Sequence, residues 1–159
     1  QPSERPYEYE NMLFEQFGSD TKVKTQFVAI LNALASCHVA IASRDRDKPS
    51  RKQGFEQAKR YFQWAQKIDL LNPGSMVGEA MLLLSQGDLE RAAAKLDSAA
   101  DYCGSNVPVL LGKACAKFQS GAIEESRRLY REVFSVNPSP PSVVRLGLAY
   151  TSAKLGQPA

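Results

Sequence analysis

The chain has 159 residues, 43% of them hydrophobic and 23% charged, with a net charge of +3. That is apolar enough for one folded domain or one run of a repeat array, and it excludes a disordered segment. The charge is too mild for the usual strongly basic nucleic-acid domain, and no contiguous apolar run approaches the roughly 20 residues that cross a bilayer.

Residues 1–21 read as an N-terminal extension. The start, Gln1-Pro2-Ser3-Glu4-Arg5, lacks the apolar core of a signal peptide, so an intracellular address is expected. A candidate short helix over 7–17 precedes a Gly18-Ser19-Asp20 break.

Residues 22–72 read as a degenerate helix pair. The first helix is expected over 24–43, with Ala29, Ile30, Leu34, Cys37 and Ile41. The second is expected over 55–72, with Ala58, Phe62, Ala65 and Ile68 on one face and Pro73 after it. Between them lies a basic insert, 43–54, expected to lengthen the turn. Its five cations, Arg44, Arg46, Lys48, Arg51 and Lys52, outnumber Asp45 and Asp47 and account for the whole net charge. They are either a solvated loop or a contact for an acidic protein or RNA. No aromatic residue interleaves with them, which disfavours base stacking.

Residues 73–106 and 107–140 repeat with a period of 34. Gly78 returns as Gly112, Ala80 as Ala114, and Gly87 as Gly121. Met76 matches Leu110, Leu89 matches Ile123, Leu96 matches Tyr130, and Ala99 matches Val133. This is the period of the tetratricopeptide (TPR) repeat, a helix, a tight turn and a second helix. Gly87 and Gly121 suit a left-handed residue that ends each first helix. Small residues at Ala80, Ala92, Ala114 and Ser126 admit close helix approach, and Asn137-Pro138 stops the last second helix. Residues 141–159 read as the first helix of a truncated unit, since Leu146-Gly147-Leu148-Ala149 repeats Leu111-Gly112-Lys113-Ala114 after 35 residues. The expected fold is an all-α, TPR-type alpha-alpha superhelix of about three and a half repeats, cut from a longer array.

No constellation with catalytic spacing is found. His38 is the single histidine, and its neighbour Cys37 points about 100° away on a helix. Gly112-Lys113 resembles the end of a P-loop, but Val107 and Ala114 stand where glycine and Ser/Thr are required. Cys37, Cys103 and Cys115 form neither a disulfide framework nor a zinc pattern, and are expected as buried packing residues in a reducing compartment. We expect no enzyme activity, no metal and no cofactor.

First helices line the concave side of a TPR stack. By register the groove residues are Val77, Met81 and Leu84 in one unit and Leu111, Cys115 and Phe118 in the next. These apolar positions suit an extended or helical apolar segment of a partner. They lack the lysine and asparagine by which chaperone-type TPRs clamp a terminal carboxylate, which weighs against a co-chaperone or trafficking adaptor. An RNA-binding helical repeat using the basic insert is the remaining alternative.

The run Val109-Leu110-Leu111-Gly112-Lys113-Ala114-Cys115, then Tyr130, Asn137-Pro138, Pro141 and Val144-Arg145-Leu146-Gly147, closely resembles the family of the large TPR subunit (Ctr nine) of the polymerase-associated factor (Paf) complex. The order of residues 30–41, the charged insert, Gln57-Ala58 and Ala65-Gln66-Lys67-Ile68 is similar too. The resemblance implies a nuclear, non-catalytic scaffold. Its partners would be other Paf-complex subunits, especially the namesake Paf subunit. It would act indirectly on the RNA polymerase II assembly, in transcription elongation and linked histone modification. No membrane partner is implied, and nucleic acid only weakly.

Overall fold

The computed structural model describes residues 20–156. Seven helices fill them: α1 (Thr21–Arg44), α2 (Lys48–Ile68), α3 (Pro73–Gln86), α4 (Leu89–Cys103), α5 (Val107–Gln119), α6 (Ile123–Val136) and α7 (Ser142–Lys154). No strand occurs among the described residues. The candidate helix at 7–17 lies outside them.

Local chemistry sets the helix starts. Asp20, Asp47, Asn72, Asp88 and Asn106 each accept a backbone N–H of the first turn, from Lys22 and Val23, Ser50, Ser75, Arg91 and Val109 respectively. Pro49, Pro73 and Pro108 fall in first turns, where a missing N–H costs nothing. Gly87 and Gly121 have φ of 83° and 85°, so each first helix of the two central units ends on a left-handed glycine.

The helices pair as α1–α2, α3–α4 and α5–α6, and α7 follows on α6. Ala80, Ala92, Ala114 and Ser126 are fully buried where paired helices meet. The Ser126 hydroxyl donates to the Ala114 carbonyl at 2.7 Å, so a serine stands at a small-residue position without a polar penalty.

Successive units interlock through one repeated contact. A Cβ on Gly78 would overlap the Phe62 ring; on Gly112 it would lie 2.5 Å from a Leu96 methyl; on Gly147 it would lie 2.5 Å from the Tyr130 ring. Phe62, Leu96 and Tyr130 are themselves 34 residues apart. Each first helix thus drops a glycine onto the large side chain of the preceding second helix.

First helices also pack on the first helix of the next unit, α1 on α3 and α3 on α5, while second helices do not pack comparably on one another. The stack therefore curves toward the row of first helices, which forms its concave wall.

Three expectations are corrected. The insert 43–54 is not a long turn: only Asp45, Arg46 and Asp47 are non-helical, and α2 begins at Lys48 and stops at Ile68. Asp47 and Pro49 start the helix early, and Gly54 keeps it flat against α1, where an added Cβ would lie 2.8 Å from that of Ala42. The cysteines are not buried: Cys37 is exposed, and Cys103 and Cys115 are half-buried.

The third correction concerns α1, which is long and apolar enough to cross a membrane by length and composition. Gln26, Asn32, Ser36 and His38 break its apolar run without adding charge, so counting contiguous runs misses it. In the fold it is a first helix, with Val28, Leu31, Ala35 and Ala42 buried. Ile30, Leu34 and Ile41 lie exposed on its flank. Asn32 faces α3 through hydrogen bonds with Asn72 and Ser75, and the exposed stripe stands roughly opposite it around the helix.

Candidate functional site

The six groove residues expected from the register do not share one environment. Val77, Met81, Leu111, Cys115 and Phe118 are half-buried. Leu84 is 3% exposed, inside the core with Ala80, Ala92 and Leu96. It presents nothing to a groove and is withdrawn from the site. Ala116 of α5 packs in the same cluster and helps cover it, a neighbour that period alone does not reveal.

Three residues that the expectation omitted complete the wall. Leu146 and Tyr150 lie 35 residues after Leu111 and Cys115, and they are 66% and 60% exposed; Val143 is exposed beside them. The same 35-residue shift that revealed α7 could have supplied them.

The connection Ser139-Pro140-Pro141 carries the extra residue, and here the stack opens. α7 rests on α6 through Val144 and Leu148, against Leu129, Tyr130 and Val133, but does not close on α5 as α5 closes on α3. The opening is a hollow of about 230 Å³ lined by Phe118, Tyr130, Val143, Leu146, Gly147 and Tyr150. Phe118 and Tyr150 meet across it, ring centres 5.9 Å apart and inclined at 64°.

The floor is electrically quiet. The Cys115 thiol lies 3.6 Å from the Tyr130 hydroxyl. Burial, with the thiol beside it, pushes the Tyr130 phenol well above its ordinary value, so it stays neutral. The charged side chains of α3 and α5 are held away from the wall by second-helix partners. Glu79 pairs with Lys95, Lys113 with Asp97 at 2.8 Å, and Lys117 with Glu125 at 2.6 Å. A partly aromatic surface remains, suited to apolar side chains.

His38 stacks on Tyr61, ring centres 5.5 Å apart, while Cys37 stays exposed, so the neighbours form no thiol–imidazole pair. The five cations of the insert cluster instead at the α1–α2 corner, away from the concave wall. Arg44 ends α1, Arg46 lies in the turn, and Lys48, Arg51 and Lys52 open α2.

No protein-family model matches the chain. It is 36% identical over 135 residues to the protein CTR9 homolog of Arabidopsis thaliana, an alignment that takes in 85% of this chain but only 12% of that protein. Its fold matches that of a thermophilic TPR protein from Thermus thermophilus, with a TM-score of 0.71 over 92% of this chain and 71% of the other, at 16% identity. Period, interlocking glycines, architecture and sequence agree: the chain belongs to the TPR repeat family and is similar to a segment of CTR9.

Proposed function

We infer that the chain is a scaffold segment that holds a partner protein by an apolar stretch laid along the concave wall, without catalysis. One observation carries this reading. Val77, Met81, Leu111 and Cys115 lead to an aromatic hollow at α5–α7 that is open to solvent and has no charged residue in its lining. A helical or extended segment with apolar anchors spaced along it would bury those side chains. A terminal carboxylate would find no cation there, which disfavours the co-chaperone reading.

Similarity to CTR9 supports the proposed setting: a nuclear protein of the Paf complex, engaging other subunits, the namesake Paf subunit among them, during RNA polymerase II transcription elongation. The test is co-purification of Paf-complex subunits co-expressed with the chain. The native chain is expected to retain them, and Met81→Arg/Phe118→Asp and Leu146→Glu/Tyr150→Glu to release them while staying helical by circular dichroism. Equal retention by folded variants would sink the reading.

A further inference from the structure

The corner where α1 turns into α2 has a chemistry of its own. Asp45 accepts the Asp47 N–H at 2.9 Å on one oxygen and the Ser50 hydroxyl at 2.5 Å on the other. Asp47 accepts the Ser50 N–H at 3.1 Å. Both carboxylates of the insert are thus committed to holding the turn and capping α2. None of the six ion pairs among the described residues uses Arg44, Arg46, Lys48, Arg51 or Lys52.

Lys48, Arg51 and Lys52 recur at helical spacing and line one hollow of about 280 Å³, together with Phe55, Glu56 and Gln86. Phe55 is buried, so the floor is apolar and the rim cationic. Like charges this close repel one another. They also stand at the positive end of the α2 dipole, where a helix favours anions. The first turns of α4 and α6 follow that preference with Glu90 and with Glu124 and Glu125; α2, like α1, α3, α5 and α7, has no acid in its first turn. Asp45 and Asp47 at the turn offset part of this charge, and a bound anion would offset more of it.

The geometry points to a second protein-binding site, separate from the concave wall, at which Lys48, Arg51 and Lys52, with Arg44 and Arg46 beside them, take an acidic segment of a partner protein. A peptide fits better than a nucleic acid. The cationic rim extends only about 6 Å along α2, and Glu56 lies in its lining. Beyond Gln86 the chain continues into Asp88 and Glu90, which would meet a phosphate backbone with like charge. Phe55 is covered, so no stacking platform is offered to bases. A single glutamate or aspartate side chain, reaching in between the cations with its stem over Phe55, needs only the short cationic rim and no stacking platform.

The test uses the full chain, a short fluorescent oligo-glutamate peptide and a single-stranded RNA of equal charge, followed by anisotropy at low and moderate salt. Arg51→Gln/Lys52→Gln is expected to weaken peptide binding about tenfold or more. Arg145→Gln/Lys154→Gln, the same charge change on α7, and Met81→Arg/Phe118→Asp on the concave wall are expected to leave it nearly unchanged. The melting temperature of Arg51→Gln/Lys52→Gln should change little, since relief at the helix N-terminus opposes the lost attraction between Arg51 and Asp45. Three results would each overturn the proposal: tighter binding of the RNA than of the peptide, equal losses in both charge-neutralised variants, or no saturable peptide binding at low salt.

Discussion

The two rows of helices share one repeat and one core, yet they face outward differently. The second helices turn Lys59, Arg60, Lys67, Arg91, Asp97, Arg128 and Arg131 to water. The first helices α3, α5 and α7 turn out Val77, Met81, Leu111, Cys115, Leu146 and Tyr150, with Arg145 and Lys154 also exposed on α7. Where α3 and α5 carry charge, a second-helix partner draws it sideways. Packing between the rows demands apolar residues on the shared faces only. An apolar outer stretch on one row is therefore not required by the fold, and the proposed partner site rests on it.

The sharpest way to break that comparison is to attack what both rows need. Phe62→Ala empties a fully buried site between units and is expected to cost about 3–5 kcal/mol by urea unfolding. Gly78→Ala should cost about 1–3 kcal/mol, because the new methyl meets the rigid Phe62 ring. Gly112→Ala should cost less, since the Leu96 methyl it meets can swing aside. A gain in either glycine variant, as alanine gives in a free helix, would mean that the units do not interlock.

Changes confined to one row should then separate binding from stability. Leu146→Glu/Tyr150→Glu is expected to lower partner affinity at least tenfold, with a stability change within about 0.5 kcal/mol because both residues are exposed. Lys59→Glu/Arg60→Glu on the outer row should change neither quantity appreciably. If the outer pair weakens binding as much, the wall is not the site.

Smaller effects come from polar links between the rows. Ser126→Ala removes a buried hydroxyl bonded to the Ala114 carbonyl and should cost about 0.5–1.5 kcal/mol. Asp97→Asn breaks an ion pair whose carboxylate is 70% exposed and should cost no more than about 0.5 kcal/mol, vanishing in high salt.

Acid should act on the α1–α2 corner. The Ser50 hydroxyl, the Asp47 N–H and Arg51 hold the Asp45 carboxyl below its ordinary 3.8. A lowered pKa stabilises the fold fully above the unfolded value, and that stabilisation is lost as pH falls through the folded value. NMR titration should find Asp45 protonating below the range of an unfolded peptide, with the start of α2 fraying in step. An Asp45 midpoint at 3.8 or above would contradict the hydrogen bonds drawn for it.

Much of the array was legible because small and large residues returned at a fixed spacing. Gly78 and Gly112 announced equivalent surroundings, and the Phe62, Leu96 and Gly147 contacts bear this out. The site was less legible. Leu84 shares the register of Phe118 but is buried, because α5 closes over α3 at Ala116 while α7 does not close over α5 in the same way. Val143, Leu146 and Tyr150 follow from the lengthened period, yet only the gap between α5 and α7 makes them a hollow. The basic insert looked like a loop because its charges mask the Asp47 cap, the early Pro49 and the flat Gly54 that make most of it helix.

By itself the sequence determined the repeat, its helical class and the residues that must be small, since sterics between neighbouring helices act on every unit alike. Tertiary structure alone decided which apolar side chains stay at the surface, where the stack opens, and which cations stand outside the ion pairs. Those properties depend on distances between segments far apart in the chain, and no local pattern records them.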